Sequence, residues 1–189
     1  SPGTVQDGKC SEGLYAIGQG PKGAMSIAQG LYYLEGSQAA VGEYLIFEPV
    51  AHPAEGDLYR LAASIVYMGN YFTDLKDGEL MAFMPAKGSE TMAVATDEPL
   101  DAKEPYHSGC YRVGIDIPAG TYVVTLDAKA AEALDDTGAL PAGIVMNDLD
   151  FDRSYGSDSI AEEAELIAGG KQTLTVKDGQ YLELIGAQA

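Results

Sequence analysis

The sequence predicts an all-β protein built from one small domain written twice. Three observations carry that reading. KDGELMAFMPA, from Lys76 to Ala86, returns as KDGQYLELIGA, from Lys177 to Ala187, at an offset of 101 residues. Carried upstream, this offset aligns Gly42 with Gly143, Ala63-Ser64-Ile65-Val66 with Ala164-Glu165-Leu166-Ile167, and Gly69 with Gly170. GLYAIG, Gly13 to Gly18, matches GCYRVG, Gly109 to Gly114, at an offset of 96. Glycines kept while their flanking chemistry changes imply a kept backbone, because glycine marks turns and close approaches. Finally, apolar residues alternate in short runs broken by glycine, proline and aspartate, and helical periodicity is nearly absent.

The elements follow in order. The first copy reads GLYAIG, a turn at Pro21-Lys22-Gly23, AMSIAQGLYYLE, GEYLIFEPV, LYRLAASIVYM and YFTDL, whose Lys76-Asp77-Gly78 turn leads into ELMAFMPA. In the second, Tyr111 and Val113 lie on one face of a strand and Cys110 and Arg112 on the other. Pro118-Ala119-Gly120 turns the chain into TYVVTLDA, with Tyr122, Val124 and Leu126 facing one way. Pro141-Ala142-Gly143 launches IVMNDLDFD. SIAEEAELIA suits a strand or, given its Ala and Glu content, a short helix. KQTLTV and QYLELIG read as a hairpin around Lys177-Asp178-Gly179, since Asp-Gly supplies the positive φ of a tight turn. Leu182 and Leu184 share a face expected to reach the core. KAAEALDD, Lys129 to Asp136, is the best short-helix candidate. Some six strands per copy suit a two-sheet sandwich, jelly-roll or immunoglobulin-like. The expected division is residues 1–95, a charged linker 96–107 with prolines at 99 and 105, and residues 108–189.

Charge excludes several partners. Eleven basic against 29 acidic residues give a net charge of −18, spread over both halves. Such a surface repels nucleic acid phosphates and anionic lipid headgroups. It reads as a solubility device, with a dedicated cationic partner as the alternative. No apolar run approaches the ~20 residues of a membrane span. The chain opens Ser1-Pro2-Gly3, as an exported mature fragment would after losing its signal. Cys10 and Cys110 have no CxxC neighbour, which removes zinc ribbons and thioredoxin-like chemistry. They form either a long-range bridge or two small buried hydrophobes.

YRVGIDIPAGTYVV, Tyr111 to Val124, together with the KDGQYLEL ending at Lys177 to Leu184, resembles a repeated module of exported proteins and lipoproteins in Gram-positive bacteria. In the first copy the signature is reduced to YAIGQGPKGAMSI, which keeps Tyr15, Gly18, Pro21 and Gly23 and loses the Asp-Ile and Thr-Tyr pairs. The resemblance implies an extracytoplasmic β-module and brings no catalytic or binding residue with it.

Chemistry-bearing patterns are sparse. His52 and His107 are the only histidines, and no Gly-x-Ser-x-Gly elbow accompanies them. GQGPKG, Gly18 to Gly23, lacks the strand–loop–helix context of a phosphate cradle and reads as a turn. In NDLDFDRSYGSDS, Asp148, Asp150 and Asp152 alternate and would stack on one face of an extended chain. Calcium is nevertheless not expected there, because Arg153 stands in place of the turn glycine and Ser159 in place of the bidentate glutamate. Tyr32, Tyr33, Tyr44, Tyr59, Tyr67 and Tyr71 form either a binding face or core packing. The sequence therefore points to a non-catalytic, secreted or surface-anchored binding or adhesion protein. It would hold a protein or glycan ligand without cofactor or metal, and its ligand-binding residues are not legible. A carbohydrate-binding or calcium-dependent accessory module is the alternative.

Overall fold

The computed structural model describes residues 1–51, 58–156, 158–167 and 169–189. The first half contributes β1 (Val5–Gln6), β2 (Lys9–Cys10), β3 (Gly13–Ile17), β4 (Met25–Ile27), β5 (Gly30–Leu34), β6 (Gly42–Pro49), β7 (Tyr59–Tyr67), β8 (Tyr71–Leu75), β9 (Leu80–Met84) and β10 (Met92–Val94). The second contributes β11 (Gly109–Arg112), β12 (Gly120–Leu126), a single turn α1 (Ala128–Ala131) continued as 3-10 helix to Leu134, β13 (Ala142–Met146), β14 (Ile160–Glu165), β15 (Lys171–Val176), β16 (Tyr181–Ile185) and β17 (Ala187–Gln188). The chain is all-β. Sheet I runs β4-β3-β9-β6-β7 and sheet II β1-β2-β10-β5-β8; sheet III runs β11-β16-β13-β14 and sheet IV β15-β12-β17. The order β3-β9-β6-β7 thus recurs as β11-β16-β13-β14, and β10-β5-β8 as β17-β12-β15. Of the two readings of SIAEEAELIA, the strand holds: β14 ladders onto β13, with Ala164 buried between exposed Glu163 and Glu165.

Sandwich packing follows from alternation. Along β6, Gly42, Tyr44, Ile46 and Glu48 point inward while the residues between them are half-buried. One hydrophobic cluster gathers Tyr15, Ile17, Leu34, Tyr44, Ile46, Phe72 and Phe83 of the first half, and also Cys110, Met146 and Leu149 of the second. A separate cluster lies between sheets III and IV, built on Val113, Val124, Val145, Leu174, Leu182 and Leu184. β11 and β16 of sheet III are therefore covered on both faces, while the edge strand β14 stays largely exposed. Cys10 and Cys110 are both buried and unbridged.

The two KDG segments are not hairpins. β8 and β9 belong to different sheets, as do β15 and β16. Glu79 N–H donates to the Lys76 carbonyl at 3.1 Å, and Gln180 N–H to Lys177 at 3.1 Å, so each segment is a β-turn. Positive φ falls on Gly78 (92°) and Gly179 (89°) and not on the preceding aspartates. That is the type II pattern, whose twist splays the flanking strands instead of pairing them. The turn carries the chain across the sandwich and is secured from the other end of the half. Gly78 N–H donates to the Ile17 carbonyl at 2.8 Å, and Gly179 N–H to Val113 at 3.1 Å. The Glu79 and Gln180 side chains accept from Lys76 and Lys177 N–H at 2.8 and 2.9 Å.

The register of the ladders corrects two sequence alignments. Tyr44 stands opposite Phe83 as Gly143 stands opposite Leu184, so Gly143 occupies the place of Tyr44 and not of Gly42. Bulges fix this registration: β6 slips between Ile46 and Phe47, and β13 between Val145 and Met146. The two glycines answer different demands. A Cβ on Gly42 would lie 2.4 Å from the Tyr67 ring, and one on Gly143 would lie 2.9 Å from the Leu174 side chain. Second, the Thr-Tyr pair has a counterpart in Leu31-Tyr32. Tyr32 Oη donates to the Ala28 carbonyl at 2.6 Å and Tyr122 Oη to Pro118 at 2.6 Å, each four residues back. Tyr15 and Tyr111 do the same towards Ser11 and His107. The extra strand β4, where the second half has only the Val113–Ile117 bridge, displaced the match.

Leu182 and Leu184 are fully buried. Leu184→Ala should lose roughly 2–5 kcal/mol, and Gly179→Val about 1–3 kcal/mol through forced positive φ. Urea denaturation checks both; a wild-type midpoint for Leu184→Ala would contradict the two-cluster core.

Candidate functional site

The halves meet along three contacts. The tightest is backbone on backbone. The turn between β7 and β8 brings Asn70 against β11: Cys110 N–H donates to the Asn70 carbonyl at 3.1 Å, and Asn70 Nδ2 returns a bond to the Cys110 carbonyl at 2.6 Å. Gln38 Nε2 donates to Ser108 at 2.7 Å. Gly69, at φ 66°, has no room for a side chain, since a Cβ would sit 1.9 Å from the Ser108 carbonyl oxygen.

The second contact is the acidic segment after β13. Asp148, Asp150 and Asp152 do not line one face of an extended strand. The chain turns there: Asp148 accepts from Asp150 N–H at 3.0 Å, and Asp152 adopts φ 57°. Arg153 is buried and reaches Glu79 of the first half, Nε to Oε2 at 2.8 Å, with the two side chains 1% and 3% exposed. Ser154 donates through its backbone N–H (3.0 Å) and Oγ to Glu48, which Arg60 also engages at 3.1 Å. Burial, and then the Asp148 charge, push the Asp150 carboxyl upward. The segment is a clasp between the halves. Among the described residues, no group of three or more His, Cys, Asp or Glu is placed to hold a metal ion.

The third contact is built on Arg112 and Asp116 of the signature. Arg112 forms a two-pronged bridge to Asp116 (2.9 and 3.1 Å) and stacks 4.7 Å over the Phe72 ring of the first half. It also donates to the carbonyls of Thr96 (2.6 Å) and Glu98 (3.0 Å), while Asp116 accepts from Leu100 N–H at 2.8 Å. The connection 96–107 carries no strand and is held against the second half by these bonds and by a reciprocal backbone pair between Tyr106 and Ala189.

A groove of about 560 Å³ also opens between the halves. One wall is Ser64 to Val66 of β7 with Tyr71; the other is the face of sheet III turned towards the first half, with Phe151 and the 137–140 loop at its ends. Strand pairing sets a row across that face: Cys110, Glu183, Ile144, Glu163. The corresponding row on sheet I reads Leu14, Ala82, Leu45, Ser64, without an acid. Glu183 is 6% exposed, and no described residue donates a hydrogen bond to it. Burial first, and the Glu163 charge second, push its carboxyl up to about 8.

The other sequence candidates resolve as follows. Tyr32, Tyr44, Tyr67 and Tyr71 are core residues; the Tyr44, Tyr67 and Tyr71 rings meet at 5.6–6.2 Å and form no exposed face. His107 is exposed, 3.9 Å from Asp127, and His52 lies outside the described residues. GQGPKG joins β3 to β4. Glu183 gave no signal in the sequence: in YLELI it reads as the solvent-facing member of an alternation, and only the first half's packing covers it. No protein-family model, curated protein or solved structure matches the chain. No described helix is long and apolar enough to cross a membrane.

Two outcomes follow from this geometry. Breaking a buried ion pair by removing one partner strands the other charge, so Glu79→Ala should cost about 3–5 kcal/mol by chemical denaturation. Arg153→Ala should cost a similar amount, and the double variant less than the sum. In the unfolded chain Glu183 loses its proton near pH 4.5; folded, it keeps it to about 8. Between those values the folded state binds more protons, so stability falls as pH rises, at up to about 1.4 kcal/mol per pH unit for this group. Glu183→Gln should remove that slope, giving a variant that gains on the wild type from pH 5 to 8 in urea melts; a pH-independent difference would contradict it.

Proposed function

We propose that the chain is two copies of one β-module, carried outside the cytoplasm or on the surface of a Gram-positive cell, and that it binds a ligand without transforming it. The observation that carries the binding reading is the groove at the seam. Neither half contains it alone, since β7 and sheet III supply its opposite walls, and its volume is that of a small-molecule or side-chain site. The shared strand order, the paired type II turns and the four tyrosines bonded four residues back support two copies of one module. The resemblance of YRVGIDIPAGTYVV and KDGQYLEL to exported modules supports the location. A net charge of −18 disfavours nucleic acid and anionic lipid and leaves proteins or glycans of the envelope as partners.

Immobilised protein incubated separately with a cell-wall digest and an envelope-protein extract checks this. The expected result is saturable retention of a component recovered chemically unchanged. Time-dependent conversion of the retained component, or no retention from either fraction, would overturn the binding reading.

A further inference from the structure

We propose that the seam groove is a site for an organic ammonium ion, with the Glu183 carboxylate as its counter-charge and the hydrocarbon wall of Ile65, Ile144, Met146 and Phe151 as the bed for its apolar body. This rests on the binding reading above and gives it a ligand class. Four features converge on it. Glu183 lies inside the sheet, 6% exposed, and lines the groove. No lysine, arginine or histidine lines the groove among the described residues, so the protein supplies no counter-ion. No described residue donates a hydrogen bond to the carboxyl either, and its oxygens are not sealed off from the groove it lines, so they can accept from a ligand. Glu163 and Glu165 on β14 line the same cavity and add negative potential that is not neutralised nearby. The matching row of sheet I carries Ala82 and Ser64, so the acids appear where a second half walls the cavity.

The same geometry argues against a metal ion. Glu183 and Glu163 are both paired to Ile144 from opposite sides, which sets their backbones two strand spacings apart, roughly 10 Å. Calcium needs six to eight oxygens at about 2.3–2.6 Å, and the rest of the wall is largely hydrocarbon. An ammonium needs one carboxylate within hydrogen-bond reach and rewards an apolar surround. A charge-assisted bond to Glu183 in this setting is worth more than the same bond in water, because the surroundings are poorly polarisable.

The site also has a protonic signature. Glu183 is faced by Glu163 and Glu165 from β14, Tyr71 from β8, Tyr44 from β6 and Cys110 from β11. Burial holds the two tyrosines and the thiol neutral well past the physiological range, so Glu183 is the group that changes charge on ligand entry. Among these neighbours it retains its proton to about 8. An arriving ammonium displaces that proton to solvent.

The test is calorimetric titration of the full chain with n-hexylamine at pH 6.5, in two buffers of different ionisation enthalpy, with hexan-1-ol and calcium chloride as parallel titrants. The expected result is saturable binding of the amine with release of close to one proton per site. Glu183→Gln should weaken it about tenfold or more, and Ile65→Trp, which fills the groove while keeping the carboxyl, should also weaken it. Urea midpoints establish that both variants are folded. Equal binding of hexan-1-ol, affinity unchanged in Glu183→Gln, absence of proton release, or calcium binding in place of the amine would each overturn the assignment. Such a failure would leave the retention assay on envelope fractions to judge the binding reading by itself.

Discussion

β11 and β16 of sheet III have no solvent face, and most of what is unusual in the second half follows from that constraint. A sheet in a two-layer sandwich buries one face and wets the other, so its strands alternate apolar and polar. In β16 the alternation is lost: Leu182 and Leu184 enter the core against sheet IV, while Glu183 and Ile185 are buried towards the first half. β11 is buried throughout, with Tyr111 serving one core, Cys110 the other, and Arg112 capping the seam over Phe72. The clasp through Arg153 and Glu79, the stitch at Asn70 and the elevated Glu183 all lie where the first half packs over the second face of this sheet. Buried ion pairs add little net stability, but they are unforgiving of misplacement, and here they hold the halves in one relative position.

The joint between the type II turns and the first motif explains why two sequence patterns far apart in each half go together. Gly78 and Gly179 donate to the strand that opens their half. Asp77 and Asp178 crowd Gly18 and Gly114 so closely that a Cβ at either glycine would lie 2.9 Å from a carboxylate oxygen. The glycine of the opening motif and the aspartate of the closing one are therefore one structural unit, although some sixty residues separate them.

What the sequence revealed was local, and what it hid depended on partners far along the chain. Alternation and turn residues placed the strands, the Asp-Gly turns and the short helix after Asp127. The hairpin reading failed because Asp-Gly fits both turns with two positive φ angles and turns with one, and only the backbone distinguishes them. The alignment of Gly42 with Gly143 fails because a glycine can answer more than one steric demand. In fact one glycine clears Tyr67 and the other clears Leu174 and Val124. Leu31-Tyr32 is out of register with Thr121-Tyr122 in the sequence because β4 lengthens the preceding segment. The acidic run at Asp148 was legible as acidic, but its arginine is the residue that anchors the loop, with Glu79 as its partner. Glu183 was illegible in principle, since no property of YLELI records that another part of the molecule covers it.

The stitch at Asn70 has a further consequence for how the chain behaves among its own copies. β8, with the sequence YFTDL, is the terminal strand of sheet II, and an apolar terminal strand with open N–H and C=O groups invites pairing with another molecule. In this protein Cys110 approaches that rim and the Asn70 side chain occupies the hydrogen-bonding position beside it. The second half thus serves the first as an edge guard, a role usually left to a charged residue, a proline or a bulge, and one that a first half expressed by itself would lack.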